Sequence, residues 1–237
     1  MRGLRLLSYN VHGLKDDVAA LVRVVRAAQP DVVYVQEAPR RFRSRYKCSD
    51  LARRCGLYVA SGGAAALGNL LLVNGRVNVH EDWSMRYPLT PGRHLRGAAF
   101  ARCSVGGSRF LLVGSHLSTD EVERPEQAAL LRAALGACTD PVLLGVDLND
   151  TAASLAWRTL GDGRVDAATA CDDVKTPTFS VSSPRRRIDA VFTDPAWPVS
   201  SYQVLDSEDV RRASDHFPVL VEVRAPGPGG TPEATER

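Results

Sequence analysis

Lysine is nearly absent from this 237-residue chain. Lys15, Lys47 and Lys175 are the only ones, so arginine supplies almost all of the 30 basic side chains. Arginine's planar fork suits phosphate better than an ammonium does, but a GC-rich genome produces the same bias, so the bias alone decides nothing. Aromatic residues are sparse at 6%. The five cysteines, Cys48, Cys55, Cys103, Cys138 and Cys171, are odd in number and scattered without a C-x-x-C pair. That argues against a disulfide framework and against a zinc site. No apolar run approaches a membrane span, and "MRGLRLLSYNVHG" turns polar too soon for a signal-peptide core. The G-x-S-x-G, G-x-G-x-x-G and Walker runs are missing as well, which excludes a serine hydrolase, a Rossmann oxidoreductase and a P-loop enzyme. A soluble, cytoplasmic protein with reduced thiols and no membrane contact is expected.

What is present is a chain with enough apolar content, 44%, for one substantial core. A single domain over residues 1–224 is expected, followed by a Gly-, Pro- and Ala-rich tail, 225–237, expected to be disordered. The net charge of +3 and pI near 8.7 are compatible with an anionic substrate without demanding one. Short β-prone runs alternate with helical patterns. "LRLLSYN" (4–10) and "DVVYVQE" (31–37) read as strands around a helix at 16–29, where Val18, Leu21, Val22 and Val25 share a face before Pro30. Further strands are read at 69–73, 76–80, 96–105, 108–115, 141–147, 187–192, 201–206 and 217–223, with a second helix at 123–138. Gly106-Gly107 is a hairpin dipeptide. Hairpins mixed with helical crossovers imply a layered α/β sandwich.

Polar residues interrupt this map where strands end. Asn10 closes the first strand, Glu37 the second and His116 the run "FLLVGS"; Asp147 and Asn149 close "PVLLGV", and Asp215-His216 precede "FPVLVEV". Alone, Asn10 reads equally well as a turn amide and His116 as a hydrogen-bonded core histidine. Asp189, between Ile188 and Ala190 in a strand, must be paired or coordinated to be tolerated there. Taken together, carboxylate and amide oxygens without thiolates suit a hard ion such as Mg²⁺ or Mn²⁺, and histidines beside acids suit proton transfer and phosphoryl stabilisation. That combination describes metal-assisted attack of water on a phosphoester.

The ordered set "SYN" (8–10), "QE" (36–37), "SHLS" (115–118), "VDLN" (146–149), "RID" (187–189) and "SDHFP" (214–218) resembles the endonuclease/exonuclease/phosphatase superfamily, from residue 8 to about 223. The resemblance implies a four-layered α/β/β/α sandwich, two mixed β-sheets face to face with helices outside. It further implies that Glu37, with Asn10 and Asp215, holds a divalent ion, Mg²⁺ or Mn²⁺. Asp147 would orient or deprotonate the attacking water, and Asn149 would position it. His216, held by Asp189, would bond a phosphoryl oxygen, and His116 would do likewise or assist the leaving group. Two positions depart from the family pattern. Val146 stands where glycine is common, which is harmless if the backbone is extended, and His12 stands where many nucleases carry an auxiliary acid or amide ligand.

Substrate choice rests on loops. "RRFRSRYK" (40–47), "RRR" (185–187) and "RR" (211–212) are candidate phosphate-tracking segments, the last two favoured because Arg187 abuts Asp189 and Arg212 precedes Asp215 by three residues. Arg96 and Arg187 are therefore candidate substrate-binding residues. The expected function is a monomeric, nuclease-like phosphodiesterase acting on a phosphoester, nucleic acid included. The alternatives are a small-molecule or inositol-type phosphatase and, less readily, an inactive binding member.

Overall fold

The computed structural model describes residues 3–226. In chain order the strands and helices are β1 (Leu4–Asn10), α1 (Val18–Ala28), β2 (Val32–Gln36), α2 (Ser44–Cys55), β3 (Tyr58–Gly63), β4 (Asn69–Val73), β5 (Asn78–Arg86), β6 (Gly97–Val105) and β7 (Ser108–His116). They continue with α3 (Glu123–Gly136), β8 (Val142–Asp147), α4 (Leu155–Gly161), β9 (Val165–Asp166), α5 (Ala167–Ala170), β10 (Asp189–Thr193), β11 (Val199–Val204), α6 (Glu208–Ala213) and β12 (Val219–Val223). Two six-stranded sheets result, ordered β11-β12-β1-β2-β4-β3 and β5-β6-β7-β8-β10-β9. Each contains one parallel pair, β1 with β2 and β7 with β8, so both sheets are mixed.

The period of two along each strand explains the layers. Leu4 and Leu6 of β1, Val32 and Tyr34 of β2, Leu112 of β7, Leu143 of β8 and Val191 of β10 share the core between the sheets. Their alternates face outwards: Leu7, Tyr9, Val33 and Val35 pack with α1, α2 and α6, and Leu111, Val113, Leu144 and Phe192 with α3 and α4. This is the expected four-layered sandwich. Val146, fully buried in the outer of these cores, is tolerated because the backbone there is extended in β8.

Tyr34 crosses from β2 to β8 between the sheets. Its hydroxyl donates to the Leu143 carbonyl at 3.0 Å, and the space its ring occupies exists because residue 145 is glycine. A Cβ there would lie 2.4 Å from Tyr34 Cγ. Gly145→Ala should therefore lower the urea midpoint by an amount equivalent to about 1–3 kcal/mol, the usual scale of overpacking; an unchanged midpoint would show that the sheets can separate freely at this point.

Several elements lie outside the sequence reading. Helix α2 takes in the end of the arginine-rich segment 40–47, which the sequence offers as a phosphate-tracking candidate and not as a helix. Its buried face is the narrow stripe Cys48, Leu51, Ala52, Cys55, which weakly apolar cysteines conceal, although Gly56 past its end is an ordinary helix stop. Strand β5 begins two residues later than expected and runs longer; it is an exposed edge strand, so its pattern carries little apolar signal. At the other end of the chain, Ala225 packs on the inter-sheet core and the Pro226 carbonyl accepts a bond from Ser108. Packed chain thus continues two residues into the segment expected to be a disordered tail, the rest of which lies outside the described residues.

Candidate active site

The inward positions of the strands turn polar at one end of the sandwich. Asn10 follows Leu4 and Leu6 on the inner face of β1, Gln36 follows Val32 and Tyr34 on β2, His116 follows Phe110 and Leu112 on β7, and Asp147 follows Leu143 on β8. The two parallel pairs bring these ends level, Asn10 opposite Gln36 and His116 opposite Asp147, while antiparallel pairing sets Asp189 opposite Asp147. The polar cluster is the inter-sheet core continued with different chemistry.

Asp147 is fully buried and central. One carboxylate oxygen accepts from Asn10 Nδ2 at 2.9 Å and the other from the Asn149 backbone N–H at 2.9 Å. His116 Nε2 lies 3.2 Å and His216 Nε2 3.8 Å from the same oxygen that Asn10 holds. Asn149, in left-handed backbone conformation at φ 53°, donates to the Leu117 carbonyl at 3.1 Å and faces His116 Nε2 at 2.8 Å. The His216 ring is fixed on its other edge, Nδ1 lying 3.0 Å from Asp189 Oδ2, and the Phe179 ring packs on it at 4.7 Å between centroids. Asp189 is seated in turn by Thr178, whose hydroxyl accepts the Ile188 and Asp189 backbone N–H groups. Ser214 Oγ donates to the Asn10 carbonyl at 2.7 Å, tying the "SDH" segment to the end of β1.

The two histidines are pushed in opposite directions. Burial alone would depress His216, but the Asp189, Asp147 and Asp215 carboxylates outweigh it and push its pKa up to about 10. His116 is pulled down from 6.5 to about 3 by burial, opposed by Asp147 and reinforced by Arg96 and His216. A lowered pKa on a base means that the unfolded chain takes up this proton first. The stability contributed by the neutral His116 ring is present above pH 6.5 and is lost as pH falls towards 3. In chelator-treated protein the urea midpoint should fall across that window, and His116→Gln should flatten the fall; an unaltered slope would assign it to other groups.

In front of this cluster lies a cleft of about 680 Å³, lined by Glu37 and Asp215 and by a basic wall that includes His12, Lys15, Arg40, Arg41, Lys47 and Arg96. Glu37 sits at the end of β2 with φ 55°; among the described residues its carboxylate has no hydrogen-bond or ion-pair partner. Glu37 and Asp215 line the cleft, and Asn10 Oδ1 at the end of β1 accepts the His12 N–H; oxygens of this kind are the donors a hard divalent ion takes. Asp147, Asp189 and His216 also bring ligand atoms within 4.8 Å of one another, but a charged imidazole bonded to Asp189 offers a cation no lone pair. Outside the cluster, His12 has its Nδ1 2.7 Å from Asp16.

The arginines divide differently from the expectation. Arg96 is 8% exposed and reaches the cleft, and its buried Nε has no partner. Burial lowers its pKa, opposed by Asp147 and Glu37. The structure does not bring Arg187 to the cluster: its guanidinium forks onto Asp166 at 3.2 and 2.9 Å and stacks on Trp157, a fixed clamp between β9 and α4. Arg211 and Arg212 are likewise paired, with Asp206 and Asp17. The segment at 40–47, the less favoured one on sequence, supplies the cleft wall instead. Proximity in sequence to a site residue is a poor guide here because Arg187 and Arg212 lie outside the strands, where no alternation fixes the direction of a side chain. Gln36 enters the sequence reading only as part of "QE", with no role, and Thr178 escapes it, since nothing in "TPTF" marks it.

The sequence matches the profile of the Endonuclease/Exonuclease/phosphatase family over residues 7–216. The chain belongs to this family. Members of the endonuclease/exonuclease/phosphatase family hydrolyse phosphoesters, and the chain is a phosphoesterase of that family. No curated protein sequence matches it. Among solved structures, a family protein from Beutenbergia cavernae is 24% identical, covering 96% of this chain and 72% of its own, with a TM-score of 0.76. D. rerio TDP2 complexed with a single-strand DNA product is 20% identical over 94% of this chain and 99% of its own, with a TM-score of 0.77. A mannosyl-6-phosphatase from Bacteroides thetaiotaomicron is 18% identical over 93% and 99%, also with a TM-score of 0.77. At these identities the likeness is one of fold.

Proposed function

We propose that the protein is a divalent-metal-dependent phosphodiesterase of the nuclease-like kind. The observation that carries this reading is the presence of two cleft carboxylates, Glu37 and Asp215, in front of the buried Asp147 and His216 side chains, with arginines on the cleft wall. Glu37, Asp215 and Asn10 would hold the ion, Mg²⁺ or Mn²⁺. When bound it would neutralise phosphoryl charge and acidify water. Asp147 accepts the proton of the attacking water, whose oxygen forms the new bond to phosphorus as the bond to the leaving oxygen breaks. The leaving oxygen takes its proton from solvent. Asn149 positions the water, and His116, bonded to Asn149 and close to Asp147, holds both in place. His216 presents Nε2–H to a phosphoryl oxygen, where a positioned cationic donor is worth most as charge develops. Arg96 binds the phosphate through the guanidinium that lacks an internal ion pair.

The same fold carries a phosphatase and a DNA-processing enzyme among its neighbours, so substrate class is decided by the cleft. A phosphomonoesterase for small molecules is the second reading, favoured by the modest net charge. The test is hydrolysis of bis-(p-nitrophenyl) phosphate beside a phosphomonoester, each with Mg²⁺, Mn²⁺ or EDTA. Diester turnover that vanishes in chelator and returns with either ion supports the proposal; chelator-resistant turnover, or turnover of the monoester alone, overturns it. Glu37→Gln keeps the shape and removes the charge, so calorimetry should show metal affinity falling by at least about tenfold.

A further inference from the structure

We propose that the segment leading into α2 is a track for single-stranded nucleic acid, on which Phe42 and Tyr46 stack bases while Arg40, Arg41 and Lys47 take the intervening phosphates. This names the substrate of the site described above and rests on the phosphodiesterase reading. Three observations carry it. Phe42 and Tyr46 are 81% and 70% exposed, in a protein whose other aromatic rings are mostly buried. Exposure on that scale is unfavourable for a ring with no partner. Phe42 stands on the wall of the main cleft between Arg41 and Arg43, whose guanidinium lies 5.6 Å from the ring centroid. Tyr46 lines a second cavity of about 240 Å³. The two cavities share Gly13, Pro39 and Lys47 as a common wall. They therefore adjoin, with Lys47 on the wall between them.

A small phosphorylated molecule would occupy one chamber and leave the other aromatic ring bare. A chain with alternating anionic and flat apolar groups fits both, and a polynucleotide is such a chain. The strand must be single, because a ring can stack only on a base whose π-face is free, and each such contact is sequence-tolerant because every base offers that face. The excess of cations over Glu37 and Asp215 along the cleft supplies the complementary charge. Arg40 is held towards this wall by donating to the Leu95 carbonyl at 3.0 Å.

Binding is measured in EDTA by fluorescence anisotropy, so that nothing is cleaved, with labelled oligothymidylate, an abasic oligomer of the same length, and a duplex. The wild-type protein should bind oligothymidylate more tightly than the abasic oligomer. Phe42→Ala/Tyr46→Ala should weaken oligothymidylate binding by roughly tenfold to a hundredfold, the scale of losing one to two stacked bases, and leave the abasic oligomer unaffected. Phe42→Trp/Tyr46→Trp should retain or exceed wild-type affinity. Both positions are exposed, so an unchanged thermal midpoint is expected for every variant. Equal wild-type affinity for the base-bearing and abasic oligomers, no loss in the alanine variant, or duplex binding as tight as single-strand binding would each overturn the track. Wild-type turnover of bis-(p-nitrophenyl) phosphate tests the chemistry separately: if it is absent while the binding pattern holds, the phosphodiesterase reading fails and the track stands as a binding surface.

Discussion

Replacing Asp147 by Asn should lower diester turnover by at least about two orders of magnitude, the scale of removing a positioned general base. The expectation follows from how completely the carboxylate is held. It is fully buried, with one oxygen bonded to Asn10 and the other to the Asn149 backbone N–H. Both partners are donors. An asparagine at this position must direct its own N–H₂ group at one of them in either rotamer, so the variant loses the base and acquires a donor facing a donor. Stability should fall by about 1–3 kcal/mol, the usual scale for a buried polar group left unpaired, while the two apolar cores flanking β8 keep the fold. Kinetics are therefore to be compared at a temperature where circular dichroism shows the variant folded. Turnover within a few-fold of wild type would remove Asp147 from the chemistry and leave it a structural acid.

The same carboxylate shows how far a sequence can be read. Its strand was legible because "PVLLGV" is apolar throughout, and its candidacy as a site residue because an acid ending such a run has no place in a core. The sheet order was legible only in part. Parallel neighbours β1 and β2 follow from an intervening helix, but nothing local specifies that β12 pairs with β1, which fixes where Asp215 and His216 arrive. Helix α2 was missed because two weakly apolar cysteines occupy half of its buried stripe, beside only Leu51 and Ala52, and the rest of the helix is largely polar and charged. The site residues on strand ends were legible because strand ends are discontinuities in pattern. The arginines were not, since charge carries no period in a loop. Arg187 sits two residues from Asp189 yet serves Asp166, and Arg40 and Arg41, far from any acid motif except Glu37, form the wall.

The charge states of the two histidines separate their work. A neutral His116 cannot stabilise a pentavalent phosphorus by charge; with Nε2 on Asn149 and near Asp147, its place in the proposed mechanism is to orient the groups that would meet the water. His216 is the cation of the site, and it exists as one at neutral pH because three carboxylates outweigh its burial. On the proposed reading one acid, Asp189, serves the ring and another, Asp147, the water, although both lie on adjacent strands and face each other in register.

That division yields the second large effect. His216→Ala should reduce turnover by roughly two to three orders of magnitude, the loss seen when one preorganised transition-state donor is removed. Asp189 touches the ring at Nδ1 and does not line the cleft, so Asp189→Asn should act through His216, and the double variant should be little slower than the slower single one. A pH profile distinguishes this from simple structural damage. With burial opposed by Asp189, the ring stays charged up to about pH 10. Its raised pKa makes the dyad's contribution to stability complete below the ordinary 6.5 and lost as pH rises towards 10. Removing the Asp189 charge should draw the alkaline limb of turnover down towards neutrality and shift the alkaline loss of stability the same way. Fully additive losses in the double variant, with the alkaline limb unmoved in Asp189→Asn, would mean that the two residues do not act as a pair and that His216 is charged for another reason.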